Sequence, residues 1–353
     1  MQFLAYSILI FRPVFAAITD KYKIKGYQRK FYIVFSGYSL ALIYFLMGLT
    51  LSNLIIFGLF LLLIYISSTM LDVSSKSLVI DISPTSETKK RYLFFIYVGE
   101  ALGKFFPFFL FFLLVNDISS LNSWSILISS SYFLLIPLLS ILPFINEKVH
   151  DKSRVIENSI NSNNHNNKDL NLSLNFKKTF IFLCIFMFFA FSDVIFAYPF
   201  FPYLLNKFGQ TQFNFFNFLL IFYFIVSISS SAIGSFFLKR LKPKKIICFL
   251  IPVIGIIYVS FNFVPFALFV ILYFIGSSLG TITNLNISVY IMKFKKGNKS
   301  LYFHLIASFR HISTFIFIPL GTLLSIFISM EFLIIIGAIF LNISLLPLLF
   351  IKL

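Results

Sequence analysis

The stretch RPVFAAITDKYKIKGYQRKFY, residues 12–32, lies between two apolar runs and joins an acid to a closely following set of basic residues. Asp20 comes first, and Arg29 and Lys30 stand at the end of the set. The apolar runs on either side are about 20 residues long, which is enough to cross a hydrocarbon core of about 30 Å. Residues 20–30 are therefore predicted to form a short polar loop between two membrane-spanning helices.

The same alternation of apolar runs and short basic loops continues along the whole chain. Of its 353 residues, 59% are hydrophobic and 12% are charged, and the mean hydropathy is +0.94. A soluble domain has too little core volume to hide so much apolar surface. In lipid the backbone must satisfy its own hydrogen bonds, so long apolar runs indicate helices. The fold class predicted is an all-α polytopic membrane protein.

Eleven apolar runs are predicted to be transmembrane helices, and one long polar stretch divides them into five and six. That stretch, residues 146–178, contains an Asn/Ser-rich segment that has nothing to bury, and we interpret it as a linker. The predicted domains are thus 1–145, the linker 146–178, and 179–353. The helices are expected at 1–19, 31–49, 53–83, 92–115, 124–145, 179–206, 213–237, 245–261, 264–291, 300–328 and 332–350.

Basic residues occur in every second loop. Lys and Arg cluster in 20–30, 84–91, 146–178, 238–245 and 293–299, whereas Lys207 is the one basic residue in the loops between them. The positive-inside rule predicts that the basic loops and the C-terminus are cytoplasmic. This topology explains the net charge of +17, and we expect no nucleic-acid partner. The two cysteines lie within apolar runs, so neither a disulfide nor a metal site is expected.

The loop at 12–32 resembles the signature loop that joins the second and third helices of the major facilitator superfamily. The matching positions are a small residue, an acid four places on, a basic residue, a glycine and paired basic residues; here they are Ala16, Asp20, Lys21, Gly26, Arg29 and Lys30. The resemblance implies a two-bundle fold with a long central loop. The family has twelve helices, so the chain is expected to lack the first helix, which leaves the N-terminus outside.

Further residues resemble the folate–biopterin transporter group of that superfamily. The group has the pattern Asp-Val-x-x-Asp-x-x-Val-x-acid in its fourth helix, and this chain has Asp72, Val73, Lys76, Val79 and Asp81 at those places. Lys76 replaces the second acid of the pattern. The resemblance extends over about residues 8–105 and is architectural beyond them.

The resemblance implies a latch on the cytoplasmic side. Asp20 would face the N-terminus of the helix that begins near Ser300, where an anion meets the positive end of the helix dipole. Arg29 or Lys25 could reach Asp81 at the end of the fourth helix. The latch candidates are Asp20, Lys21, Gly26, Arg29, Lys30 and Asp81. The alternative is that the basic residues only hold the topology and contact lipid phosphates.

Ionisable residues at membrane depth are candidates for the lining of a cavity. A charge there costs at least about 2.5–3.5 kcal/mol, so it should face a partner or water. Asp72–Lys76 and Glu100–Lys104 have the i, i+4 spacing of ion pairs, whereas Asp193 and Arg310 could pair with each other or bind solute or a proton. The cavity candidates are Arg12, Asp72, Lys76, Glu100, Lys104, Asp193, Arg310 and His311. Pro199 and Pro202 are expected to interrupt the helix after Asp193.

The function predicted is secondary active transport of a small polar solute by alternating access. Four cationic side chains in the membrane favour a solute with an anionic group, and the resemblance implies a pterin- or folate-like one, with protons as a coupling ion. The alternative hypothesis is a truncated or degenerate paralogue that transports nothing. No pattern typical of an enzyme occurs. We expect no cofactor and no metal, and a monomer whose partners are the solute and the lipid bilayer.

Overall fold

The computed structural model of the chain describes residues 8–22, 29–49, 54–83, 85–99, 169–219, 223–237, 241–293 and 299–351. Within these ranges all regular secondary structure is helical. We number the helices α1 (Arg12–Lys21), α2 (Lys30–Leu49), α3 (Leu54–Ile82), α4 (86–99), α5 (Asp169–Phe189), α6 (Ala197–Phe208), α7 (Gln210–Leu219), α8 (Tyr223–Ala232), α9 (Pro243–Ser260), α10 (Phe266–Ile291), α11 (Lys299–Leu324), α12 (Met330–Ile343) and α13 (Leu345–Phe350).

Seven helical segments of the described residues are long and apolar enough to cross a membrane. They are residues 30–47, 55–82, 176–208, 243–260, 266–291, 300–324 and 330–350. The all-α polytopic fold class is confirmed by these segments. The run predicted at 124–145 lies outside the described residues, as do Gly26, Glu100, Lys104 and most of the predicted linker 146–178. The division into 1–145 and 179–353 therefore stays a prediction.

Two of the predicted helices contain irregular turns in the structure. The run expected at 179–206 begins earlier, at Asp169, and its α-helix ends at Phe189, before a 3₁₀ segment Ser192–Phe196. Pro199 and Pro202 lie inside α6, so the expectation that they make the break is wrong. Within the run expected at 213–237, the described residues form α7 and α8, and α8 continues as a π-helical turn, Ile233–Phe237.

Two glycines allow the 3₁₀ segment to lie directly against α11 and α12. A Cβ atom on Gly321 of α11 would collide with the Ile195 carbonyl oxygen, and one on Gly337 of α12 would lie 2.8 Å from the Phe196 ring. Ile195 and Phe196 are themselves buried. The break in the helix is thus held by close packing, of backbone against backbone at Gly321 and of the Phe196 ring against backbone at Gly337, which glycine permits at these positions.

The N-terminal helices (α1–α4) pack against the C-terminal helices (α5–α13) through α11. Helix α1 contacts both α3 and α11, and a shared apolar core joins Val79 and Leu93 to Leu285 and Ile306. A second core, rich in phenylalanine, lies at the other end of the C-terminal helices around Phe261 and Phe269. The Lys- and Arg-rich segments lie at one end of the helices, and we call this end the basic side.

Several lysines bind the carbonyl groups that helix ends leave without an intrahelical partner. The Lys207 ammonium donates to the carbonyls of Phe261 and Asn262, at 2.7 and 3.0 Å, just past the end of α9. The Lys244 ammonium donates to the Ile351 carbonyl at 2.7 Å, past the end of α13. Lys207, the isolated basic residue of the sequence pattern, therefore caps the negative end of a helix dipole.

We predict that Gly321→Ala destabilises the chain, because the added methyl group must displace the 3₁₀ segment. Overpacking of this kind costs about 1–3 kcal/mol, and the melting temperature in detergent should fall measurably. The matched control is Gly280→Ala in α10, where a Cβ would meet nothing within 4 Å. The control should be neutral or slightly stabilising, and equal melting temperatures for both variants would contradict the packing argument.

Candidate functional site

Arg12, Asp72, Lys76 and His311 form one cluster in the structure, which we call the charged cluster. The Arg12 guanidinium pairs with the Asp72 carboxylate, and the Lys76 ammonium contacts the other Asp72 oxygen at 2.7 Å. The second Arg12 terminal nitrogen donates to Nε2 of His311 at 2.7 Å. The cluster therefore unites α1 and α3 with α11, and all four members are candidates from the sequence.

The charged cluster contains more positive than negative charge. Arg12 is 6% exposed and His311 9% exposed, so these groups are separated from bulk water. Among the described residues, the Asp72 carboxylate contacts both cations, Arg12 and Lys76. Burial without compensation is costly for a charge, which makes each contact of the cluster important for the arrangement of the three helices.

Asp193 and Arg310 lie in a second polar region, formed by the C-terminal helices. The Tyr258 hydroxyl of α9 donates to the Asp193 carboxylate at 3.0 Å. The Arg310 guanidinium of α11 stacks over the Phe191 ring at 4.2 Å from its centroid. The charges of Asp193 and Arg310 attract each other at longer range. The structure thus gives each of them an aromatic neighbour, whereas a direct ion pair was one of the two possibilities left open by the sequence.

Arg310 is exposed although it lies in the middle of a membrane-spanning helix. It is eleven residues from the start of α11, or roughly 16 Å along the helix axis. Among the residues that the structure describes, no carboxylate forms an ion pair with its guanidinium. Tyr223 of α8, also within range of its charge, is 40% exposed. Accessible polar groups at this depth are typical of a cavity that a polar ligand enters.

The predicted latch residues are organised by Arg29, which is completely buried. Its guanidinium pairs with Asp20 at the end of α1 and with Asp81 at the end of α3, the latter at 3.1 Å. It also donates to the Thr19 hydroxyl at 2.5 Å. Arg29 therefore ties the basic-side ends of three N-terminal helices together. Of the other latch candidates, Lys30 is buried and Lys21 is exposed beside the Tyr22 ring.

Serine and histidine join α3 to α11 near the basic side. The Ser77 hydroxyl is 2.7 Å from the Ser300 hydroxyl and 3.1 Å from Nε2 of His304. All three side chains are buried. The resemblance implied that Asp20 would face the start of α11. In the structure Ser77 contacts the start of α11, and the Asp20 carboxylate pairs with Arg29.

Lys89 and Lys90 bridge the two groups of helices, a role that the sequence analysis missed. The Lys89 ammonium donates to the Met292 carbonyl past the end of α10, at 3.0 Å, and the Lys90 ammonium donates to the Leu241 carbonyl at 3.2 Å. In return the Ser235 hydroxyl of the π-helical turn donates to the Lys90 carbonyl at 3.1 Å. The signal was a pair of lysines at a helix start, opposite a helix end whose carbonyls need donors.

Burial and a neighbouring ammonium lower the pKa of Lys90. Desolvation, followed by the nearby charge of Lys293, lowers the pKa of Lys90 from 10.5 to about 8, against a smaller opposing effect of Glu87. Lys90 precedes the predicted span 92–115. A lysine with this pKa releases its proton more easily when the basic side is closed than when water reaches it.

We predict that Lys90→Met weakens closure of the basic side. The variant loses the hydrogen bond to the Leu241 carbonyl, which should raise labelling of a cysteine introduced at Ser235 by a water-soluble maleimide severalfold. Arg91→Met is the matched control, because Arg91 is exposed and pairs only weakly with the exposed Glu87 at 3.3 Å. Equal labelling of both variants would count against a closing role for Lys90.

We also predict that alkaline pH favours closure. The closed state binds fewer protons at Lys90 between pH about 8 and its ordinary pKa of 10.5, so the closed state gains stability as pH rises through that window. Labelling at position 235, corrected for the reagent's own pH dependence, should fall across this range in the parent chain. It should stay constant in Lys90→Met; a parallel fall in the variant would refute the assignment.

Comparisons with known proteins agree with this arrangement. Residues 5–293 match the family described as MFS/sugar transport protein, while no curated protein matches the chain. Among solved structures, the major facilitator transporter FucP in its outward conformation superposes with a TM-score of 0.70 at 14% identity, covering 99% of this chain and 90% of that one. The Escherichia coli fucose:proton symporter FucP gives 0.67, at 14% identity and 98% and 90% coverage.

The human organic anion transporter TETRAN has the same fold, with a TM-score of 0.68 at 13% identity, covering 98% of this chain and 82% of that one. At such low identity these structures establish the fold, whereas the family match rests on sequence over most of the chain. The predicted membership of the major facilitator superfamily is confirmed, and the folate–biopterin subgroup stays a prediction. The chain belongs to the MFS/sugar transport family of the major facilitator superfamily, whose members are transporters and not enzymes.

Proposed function

We propose that this transporter moves a small polar organic anion, of the pterin or folate class, by alternating access. The observation that supports this proposal is Arg310, an exposed cation at membrane depth that forms an ion pair with no described carboxylate. An anionic group of the solute would supply the missing charge. The Phe191 ring beneath the guanidinium and the exposed Tyr223 offer aromatic surface to a planar solute.

The contacts at the basic side support an outward-facing state. We infer that the basic side is cytoplasmic, because its loops carry almost all of the lysine and arginine outside the helices. Lys89, Lys90 and Ser77 join the N-terminal helices to the C-terminal helices at this side. The similarity to FucP in its outward conformation points the same way. Opening the basic side would require these contacts to break.

Asp193 is the carboxylate that we assign to the coupling proton. It accepts a hydrogen bond from Tyr258 and is held in the 3₁₀ segment between α5 and α6. Broken helices at the centre of a transporter are a common place for substrate and ion sites. Because Arg310 attracts the Asp193 carboxylate, an anion that binds Arg310 would weaken this attraction and favour protonation of Asp193.

The experiment is uptake by the full chain reconstituted in liposomes, with tritiated folate as the anionic probe and L-fucose as the neutral one. We expect folate uptake above protein-free liposomes, and a loss of at least about tenfold in Arg310→Gln, because a charge-assisted contact is worth about 1.5–3 kcal/mol. Arg91→Gln, at the exposed basic end, should retain uptake. Arg310→Lys should rescue it in part, since a point charge remains without the planar fork.

The outcomes separate the proposals. Uptake of fucose but not folate, insensitive to Arg310→Gln, would contradict the anion assignment and favour a neutral sugar, as in the fucose:proton symporter FucP. Absence of uptake for both probes in a folded chain would favour the alternative of a paralogue that does not transport.

We predict that Asp193→Asn uncouples transport from the proton gradient. The amide keeps a hydrogen bond with Tyr258 but takes up no proton. A proton gradient directed into the liposomes should accelerate folate uptake by the parent chain and leave uptake by Asp193→Asn unchanged. Counterflow, which needs no net proton movement, should persist in Asp193→Asn. An equal stimulation of both by the gradient would remove Asp193 as the coupling group.

A further inference from the structure

We propose that His311 is a proton-operated gate: protonation of its Nε2 breaks the contact with Arg12 and allows the basic side to open. The inference deepens the proposed function, on whose alternating access it rests, and it names a second proton site apart from Asp193. The contact is the point at which α1 of the N-terminal helices holds α11 of the C-terminal helices within the charged cluster.

The chemistry of the two groups determines the protonation state of His311 in this arrangement. A guanidinium has donors only and cannot accept a hydrogen bond. The 2.7 Å contact between the Arg12 terminal nitrogen and Nε2 of His311 therefore needs a lone pair on Nε2. His311 is consequently neutral here, with its proton on Nδ1. A proton that arrives at Nε2 converts the acceptor into a donor and turns the hydrogen bond into a repulsive contact between two cations.

In the part of the chain that the structure describes, the charged groups near His311 carry a positive excess. Arg12 comes from α1, Asp72 and Lys76 from α3, Arg310 from α11 itself, and Asp193 from the neighbouring 3₁₀ segment. Each Asp72 oxygen already contacts a cation, and the Asp193 carboxylate receives Tyr258. These five groups carry three positive and two negative charges. An imidazolium at His311 would increase the positive excess in a buried place.

His304, seven residues earlier on the same helix, provides a comparison within the chain. It is also buried, but its Nε2 faces the Ser77 hydroxyl at 3.1 Å. A hydroxyl can both donate and accept, so this contact survives protonation of the imidazole. The two histidines therefore differ in one respect that an experiment can use: only the Arg12–His311 contact demands a neutral ring.

The test measures the distance between two spin labels at the basic side of the full chain in lipid nanodiscs. The labels replace Tyr22 and Leu241, which are 55% and 51% exposed, in a background with Cys184→Ala and Cys248→Ala. The parent chain should show a short distance between the labels at about pH 7.5. At about pH 5 a second population with a longer distance should appear, because histidine titrates in this range. Lys90, whose pKa is about 8, stays mostly protonated over this range.

Three variants decide the assignment. His311→Gln should stay closed at both pH values, because the Gln carbonyl oxygen accepts from Arg12 without titrating. His311→Lys, a permanent cation, should be open at both. His304→Gln should keep the response of the parent chain. We expect the closed-to-open ratio of the parent to change by at least about tenfold between the two pH values.

The proposal is overturned if the distance between the labels in the parent chain does not change with pH. It is also overturned if His311→Gln still opens in acid, or if His304→Gln abolishes the pH response of the distance. No solute is present, so the result is independent of the transport assay. A chain that opens in acid but takes up nothing would refute the proposed function and leave the gate. A chain that transports folate but whose distances ignore pH would refute the gate alone.

Discussion

The structure depends on one constraint: a polar group within the hydrocarbon region must find its partner in the chain itself. Helix ends present carbonyls without intrahelical partners, and lysines supply the donors. Lys89 reaches the end of α10, Lys207 the end of α9 and Lys244 the end of α13. The basic residues thus bond helices to each other, in addition to the topological role that the positive-inside rule predicts for them.

The same constraint explains why α11 is the centre of the arrangement. Ser300, His304 and His311 lie on one face of this helix, and their partners Ser77 and Arg12 come from α3 and α1. The interface between the two groups of helices is therefore polar along α11, where apolar side chains alone would pack in a membrane without a specific register. Hydrogen bonds of this kind can exchange partners, which a tightly interlocked apolar interface cannot do without cost.

Irregular backbone occurs next to the polar contacts and serves them. The 3₁₀ segment Ser192–Phe196 carries Asp193 and is accommodated by Gly321 and Gly337. The π-helical turn Ile233–Phe237 presents Ser235 to the Lys90 carbonyl. Turns of these types are frequent at functional positions in helices. Both segments lie among the C-terminal helices. The 3₁₀ segment connects Asp193, at membrane depth, to α9, and the π-helical turn connects to Lys90 at the basic side.

The sequence by itself determined the helical membrane class, the family and the basic side, and it named all four members of the charged cluster as candidates, because hydropathy, charge alternation and the loop at 12–32 are local patterns. It offered Arg29 or Lys25 as a partner of Asp81, and the structure has Arg29 in that contact. Only the tertiary structure decided that Arg12 contacts His311, that Tyr258 donates to Asp193 while Arg310 stacks on Phe191, and that Lys89 and Lys90 bridge the two groups of helices. These partners lie far apart in the chain, and their meeting depends on which helix faces pack together. Apolar residues cover nearly the whole surface of such helices, so periodicity does not reveal those faces.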